Sequence, residues 1–255
     1  MTTPFVDIHT HCEVSPTASQ PICVLQSYGV HPWWLDDHPE PAFIDCQLHL
    51  LKTMLDDHRL AAIGETGLDK LHPLTYQQQL LAFSRHIELS EQYHKPLVIH
   101  NVKSTSDILK LHKQHKPKQP WILHGFNGNH DEVQQLVAHG LCLSLGEGIF
   151  HENRKIVSSI KSIPLDHLFL ETDTGPYSIE EVYQRAAELI GITLEGLKDH
   201  LFNTFMRRVG LSAGLLSFEG SNSLESMNTA SPKVLLMAPV LGSLIDEGNS
   251  NERLR

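Results

Sequence analysis

Asp7-Ile8-His9-Thr10-His11 closes the first apolar run of the chain, and four later segments repeat its plan. They are Ala61-Ala62-Ile63-Gly64-Glu65, Pro96-Leu97-Val98-Ile99-His100, Trp121-Ile122-Leu123-His124 and His167-Leu168-Phe169-Leu170-Glu171-Thr172-Asp173. Each is a short apolar run that ends in a side chain able to bind a metal ion. Such runs read as strands buried on both faces, and the amphipathic stretches between them are long enough for helices. Repeated strand-helix units mean a parallel sheet. In α/β barrels the catalytic groups sit at the carboxyl ends of the strands, so ligands in this phase converge on one mouth. Residues i and i+2 of a strand point the same way, which lets His9 and His11 grip one ion.

Working outward, the pattern predicts strands at Phe5–His9, Ile22–Tyr28, Leu60–Gly64, Pro96–Ile99, Trp121–Leu123, Leu141–Leu145 and Leu168–Leu170, seven in all. Pro41 opens a helix that runs to about Asp57. Tyr76, Leu80, Phe83 and Ile87 recur at helical spacing behind Thr75, which is read as an N-cap. Further helices are predicted at Ser104–His115, Asp131–His139, Glu152–Ile163, Ile179–Ile190 and Leu194–Val209, with Gly140 ending the second of these. The fold class expected is α/β, a TIM-like (β/α) barrel.

Composition suits one barrel domain. The chain has 255 residues, 40% hydrophobic and 20% charged, and the barrel is placed at residues 1–211. Ser, Asn and Gly crowd Ser217–Ser231 and Gly248–Asn251. That composition cannot bury enough apolar surface to offset the entropy of ordering, so 212–255 is read as a flexible tail. No charged-then-apolar leader opens the chain and no apolar stretch is long enough to span a bilayer, which points to a cytoplasmic protein. Cys12, Cys23, Cys46 and Cys142 show no CxxC spacing and read as reduced packing residues, with Cys12 beside the expected mouth and open to oxidation there. A net charge of −10 argues against a long polyanion held by a basic stripe. A metal centre can still draw a phosphate locally, because bound cations override the sign of the surrounding surface at close range.

These motifs resemble the TatD family of metal-dependent hydrolases, within the wider amidohydrolase-like barrels. The segments that carry the resemblance are DIHTH at Asp7, GVHPWW at Gly29, AIGETGLD at Ala62–Asp69, KPLVIH at Lys95, ILHGFNGN at Ile122, FLETD at Phe169 and the helix containing Asn203, in the family's order from about Phe5 to Leu211. The resemblance implies a deoxyribonuclease or phosphodiesterase with two divalent ions per chain. His9, His11, Glu65 and Asp173 would hold one ion and Glu65, His100 and His124 the other, with Glu65 bridging.

The chemistry asks for those residue types on its own terms. Imidazole and carboxylate suit Zn, Mn or Mg, and a carboxylate can give one oxygen to each of two cations. Two cations about 3.5–4 Å apart lower the pKa of a shared water and stabilise both entering and leaving oxygens. Asp173 is placed to accept that water's proton, making it and Glu65 the catalytic candidates. Asp69, Glu171 and His31 are read as groups that orient ligands or hold the mouth together, and Trp33 and Trp34 as rings that stack on a substrate base or pack over the loop. His38, His49, His58, His112 and His115 are read as surface residues, while His72, His130 and His151 follow strand ends.

Departures from the family bear on substrate. Between His11 and Gly29 there is room for only one loop and one strand, so one β/α unit is deleted near the N-terminus, in agreement with seven strands. The family's basic-acidic pair after the VIH histidine is replaced by Asn101-Val102-Lys103, leaving Lys103 as the charged candidate for a phosphate contact, with His31 and Trp33 as further substrate candidates. After Asp173, Thr174-Gly175-Pro176-Tyr177-Ser178 runs directly into a helix where the family has a longer loop with a basic residue. The expected partner is therefore a DNA end or a small phosphodiester. The alternatives are a metal-dependent amidohydrolase or esterase of a small metabolite, against which the bridging Glu65 speaks, and a catalytically retired barrel serving as a binding subunit, against which the intact ligand set speaks. The oligomeric state is left open.

Overall fold

The computed structural model describes residues 3–11 and 22–210, together with the backbone of Ser217–Glu219. In chain order the elements are β1 (Phe5–Asp7), β2 (Ile22–Val24), β3 (Ser27–Tyr28), α1 (Trp34–Asp37), α2 (Pro41–Asp56), β4 (Ala62–Asp69), α3 (Tyr76–Tyr93), β5 (Leu97–Val102), α4 (Thr105–His115), β6 (Trp121–Leu123), α5 (His130–Ala138), β7 (Cys142–Leu145), α6 (Lys155–Ser159), β8 (Leu168–Leu170), α7 (Ile179–Ile190), α8 (Leu194–Val209) and β9 (Ser217–Glu219).

Strands β3 to β8 form a parallel sheet in sequential order, and β1, β2 and β9 form a second sheet in which only β9 runs antiparallel. The barrel is not one closed ladder. Its two sheets are joined by single contacts: the Ile8 amide donates to the Leu170 carbonyl at 3.1 Å, Thr10 bridges Asp173, and the Ala61 and Ala62 amides donate to the Gln26 carbonyl at 2.8 and 3.1 Å. The predicted strand Ile22–Tyr28 thus divides at Leu25-Gln26, its first half serving one sheet and its second half the other. Counted as one run, it leaves the seven parallel runs that the sequence predicts.

Side chains alternate along these strands, as a pleat requires. Val6, Cys23, Val98, Ile122, Cys142 and Phe169 pack into one buried cluster with Phe205 and Val209 of α8. Their strand neighbours Phe5, Val24, Ile99, Leu123, Leu143 and Leu170 join a second cluster with Phe83 and Ile87 of α3 and Val182 of α7. The first cluster fills the barrel and the second glues helices to its outside. Extending the first phase by two residues from Val98, Ile122 and Phe169 arrives at His100, His124 and Glu171. The barrel filling therefore gives way to polar side chains at the carboxyl ends.

Strand β4 departs from that rule. All eight of its residues are buried, yet Glu65, Thr66 and Asp69 are polar, and its register with β5 breaks between Ile63 and Thr66. Strict alternation from Ala62 would send Glu65 toward the helices; the register break turns it inward. Gly64 and Gly67, at φ +141° and +148°, sit against the backbone of Val98 and His100, where a Cβ would collide with the carbonyl oxygens. Only glycine combines that conformation with that approach.

Helix ends follow from sequence at several points. Pro41 sits at the first position of α2, and Asn129 with Glu132 and Ser178 with Glu181 form reciprocal capping boxes at α5 and α7. Thr75 differs from the prediction: its hydroxyl makes no cap bond and instead donates to Asp36 Oδ1 at 2.9 Å, tying the start of α3 to α1. The predicted helix Glu152–Ile163 shrinks to α6 and a 3₁₀ turn at Ile160–Ser162, because Arg154 stays extended and Ser159 donates sideways to the Gly128 carbonyl at 2.7 Å. Cys23 and Cys142 are buried free thiols and Cys46 is an exposed one. Cys12 lies outside the described residues, as does the tail read at 212–255 apart from β9. Among the described residues, no helix is long and apolar enough to cross a membrane.

Candidate metal centre

Glu65 is the hub of the mouth. Its Oε2 lies 3.2 Å from His9 Nε2 and 3.3 Å from His11 Nε2, while Oε1 lies 2.7 Å from His100 Nδ1 and 2.6 Å from His124 Nε2. His31 Nε2 also reaches Oε1, at 3.1 Å. Asp173 Oδ1 stands 3.8 Å from His9 Nε2 and 3.5 Å from His11 Nε2. The six sequence-predicted ligands are thus together, with His9, Glu65 and His100 buried and His11 half exposed. Glu65 and His100 lie inside β4 and β5 and not just past them, since both strands run longer than their apolar stretches.

The donor set can hold cations. Three groups, His9–His11–Glu65, His9–His124–Asp173 and His31–Glu65–His100, each bring one ligand atom per residue within 4.8 Å of one another. Five ring nitrogens pressed on one buried carboxylate carry lone pairs that repel its oxygens unless protons or cations lie between. Burial raises the Glu65 carboxyl, but the His124 charge and hydrogen bonds from His100, His11 and His124 outweigh it and hold it well below the usual carboxylate range. Burial likewise opposes a charged His124, yet Glu65 and Glu171 hold that ring well above the ordinary imidazole value. The hydrogen bond to Glu65 raises His11. The cavity therefore collects positive charge.

Outer carboxylates aim the rings. His100 Nε2 lies 3.1 Å from Asp69 Oδ2, and His124 Nδ1 lies 3.7 Å from Glu171 Oε1, which also accepts the Gly125 amide at 2.5 Å. Such a carboxylate behind a histidine sets its tautomer and ring orientation. Asp7 is buried against Thr172, whose hydroxyl donates to its Oδ2 at 2.7 Å; burial pushes the Asp7 carboxyl up to about 7 despite that bond.

At the rim, Trp33 is 52% exposed and its indole N–H donates to Asp69 Oδ2 at 2.9 Å, so it presents a fixed ring beside His31. Trp34 packs instead on the core. Lys103 is exposed and lines a cavity of about 190 Å³ with Asn101, His124 and Asn127. Arg154, which no motif in the sequence singles out, lines a neighbouring cavity of about 180 Å³ with Asp173, Gly125 and His151. The extended turn into α6, a tertiary feature, brings this cation to the mouth. His72 pairs with Asp36 beside Trp33, His151 pairs with Glu147 at 3.0 Å, and His130 is exposed at the start of α5.

His86 is legible in the sequence only as one more residue of the α3 segment, yet it braces the mouth. Fully buried, its Nδ1–H donates to the Ala82 carbonyl at 2.6 Å and its Nε2 accepts the Val30 amide at 3.1 Å, next to His31. Burial lowers its pKa from 6.5 to about 4, against the Ala82 hydrogen bond. A folded-state pKa below the unfolded one means stability that is full above pH 6.5 and is lost as pH falls toward 4. At about 1.4 kcal/mol per pH unit this one ring accounts for about 3 kcal/mol. Denaturant titrations of the wild type and His86→Gln at both pH values are expected to show the stability gap narrowing by about that amount at the lower one. A gap independent of pH would refute the buried neutral ring.

A sequence model of the TatD related DNase family matches residues 1–209. The chain belongs to the TatD family. Relatives include a Buchnera aphidicola protein, 31% identical over 157 residues that make up 60% of this chain and 57% of that protein, and one from Haemophilus influenzae, 30% identical over 166 residues and 62% of each. YcfH of Escherichia coli K12 is 25% identical over 209 residues, 76% of each chain. All three are named uncharacterized metal-dependent hydrolases. The chain spans about three-fifths of the length of the first two. Among solved structures, the TatD homologue YJJV of E. coli superposes with a TM-score of 0.69 at 19% identity, over 83% of this chain and all of that one. A TatD family hydrolase of Entamoeba histolytica gives 0.60 at 20% identity, over 73% and 74%. At such identities the likeness speaks for the fold, and the fold is that of these TatD barrels.

Proposed function

We propose that this TatD protein is a divalent-metal-dependent phosphodiesterase of the deoxyribonuclease type, acting on DNA ends or small phosphodiesters. The observation that carries the reading is the division of the Glu65 carboxylate, with one oxygen facing His9 and His11 and the other facing His100 and His124. One oxygen toward each of two imidazole pairs is the arrangement a bridging carboxylate needs. In this reading His9, His11, Glu65 and Asp173 would hold one ion and Glu65, His100 and His124 the second, with Mg, Mn or Zn suited to the nitrogen and oxygen donors. When bound, the ions supply Lewis acidity and a water of lowered pKa.

The chain's own residues do the rest. Asp173, whose side chain is one-third exposed, takes the proton of the attacking water. Asp69 and Glu171 keep His100 and His124 aimed at Glu65, and Trp33 offers a ring to a base. Lys103 and Arg154 meet the substrate's anionic oxygens from either side of the Gly125–Asn127 loop. The activity is assigned to residues 1–211.

Two cavities of about 180 and 190 Å³ are small for a nucleotide, given that ligand pockets run from about 300 Å³ upward. They favour, as a second reading, hydrolysis of an ester or carbon-nitrogen bond in a small metabolite. Metal content by mass spectrometry, followed by cleavage of 3′-labelled single-stranded DNA with added Mg, Mn or Zn, separates the two. Two ions with nucleotide release support the nuclease; metal without DNA cleavage supports the small substrate; no metal under any condition sinks both.

Arg154→Ala and Lys103→Ala are each expected to raise KM for a phosphodiester by about 10-fold or more with kcat little changed, as loss of a charge-assisted hydrogen bond to bound substrate implies. Steady-state kinetics check this. An unchanged KM in both variants would remove the two cations from the substrate path.

A further inference from the structure

By distance alone, His31 belongs among the ligands, since its Nε2 groups with Glu65 and His100 atoms within 4.8 Å. Its other nitrogen says otherwise. His31 Nδ1 accepts the backbone N–H of Trp33 at 3.1 Å, so the Nδ1 lone pair is occupied and the ring proton sits on Nε2, which faces Glu65 Oε1 at 3.1 Å. A protonated nitrogen has no lone pair for a cation. His100 and His124 are built the opposite way. Behind each stands a carboxylate, with Asp69 Oδ2 3.1 Å from the outer nitrogen of His100 and Glu171 Oε1 3.7 Å from that of His124, placed to keep a proton on the outer nitrogen and turn the inner one toward a cation.

The surroundings make the His31 arrangement rigid. Gly29 packs so closely that a Cβ there would stand 2.8 Å from the Glu65 carbonyl oxygen, His86 holds the Val30 amide, and Trp33 is itself anchored on Asp69. A ring flip would surrender the Trp33 hydrogen bond and leave that amide unpaired. Resting on the hydrolase reading above, we propose that His31 is a fixed N–H donor to an anionic substrate oxygen at the metal centre and is not a metal ligand. Its side chain is 13% exposed, enough to meet a bound oxyanion at the mouth. Preorganised donors of this kind stabilise charge without reorganising during the reaction.

The test measures metal stoichiometry and inorganic phosphate binding, by mass spectrometry and calorimetry, in the wild type, His31→Ala, His31→Gln and His100→Ala. His31→Ala is expected to keep the wild-type metal content and to bind phosphate about 10-fold or more weakly, as loss of a hydrogen bond to a charged group predicts. His31→Gln, whose amide can donate, recovers part of that loss. His100→Ala loses metal. If either His31 variant, folded by circular dichroism, loses metal as His100→Ala does, or if phosphate binding is unaltered in His31→Ala, the inference is overturned while the hydrolase reading stands. A wild type that holds no metal overturns both.

Discussion

Glu65→Ala is expected to empty the centre of metal and to lower phosphodiester hydrolysis by at least about 10³-fold, beyond the roughly 10- to 100-fold typical of losing a group that only orients a ligand. The reason is its position between two sets of imidazoles, with Oε2 toward His9 and His11 and Oε1 toward His100 and His124. Removing it deletes a ligand to each proposed ion and the counter-charge that raises the His124 and His11 rings when no ion is bound. His38→Ala is the control. That ring stacks on Phe43 at 4.5 Å away from the cluster, so metal content and rate are expected to stay within about twofold of wild type. Parallel metal analysis and DNA cleavage on the two variants decide the matter, and equal activity in both would end the assignment of Glu65 as the bridge.

Gly67→Ala is expected to cost about 2–6 kcal/mol of stability. The φ of +148° is strained for any residue with a Cβ, at about 1–3 kcal/mol, and the new methyl would press into the His100 carbonyl, at about 1–3 kcal/mol more. The damage is local to function as well, because His100 is the residue pushed away. Gly140→Ala provides the comparison: its φ is +84° but nothing lies within 4 Å of where the new methyl would stand, so only the conformational cost of about 1–2 kcal/mol applies. Urea unfolding followed by circular dichroism gives both values. Equal losses in the two variants would mean that the close approach of β4 to β5 is not a source of constraint.

The apolar runs and the ligands that follow them are readable because a strand buried on both faces has no polar residue to interrupt it. That is why β6 and β8 begin where the sequence places them, β5 begins one residue later, at Leu97, and His100, His124 and Asp173 meet at one end. The same logic fails for β4. Glu65, Thr66 and Asp69 look like the start of a loop when burial is equated with apolarity, yet they continue the strand because its inner surface there is the site itself. Thr75 shows a milder failure, where a hydroxyl suited to capping bonds instead to Asp36 of α1.

By itself, then, the sequence determined the α/β class, the order of strands and helices, and the six side chains gathered at the mouth, since these depend on hydropathy period and residue type, which are local properties. Only the tertiary structure decided which way Glu65 turns, that Arg154 and His86 serve the mouth, and that His31 presents a proton where His100 and His124 present lone pairs. The Glu65 turn, the His86 brace and the aim of His100 and His124 depend on partners far along the chain, namely the β4–β5 register, the Val30 amide and the carboxylates of Asp69 and Glu171, while His31 is set by the Trp33 amide two residues on and Arg154 by the extended backbone before α6. A histidine's type is written in the sequence, but its tautomer is set by whatever stands behind the ring.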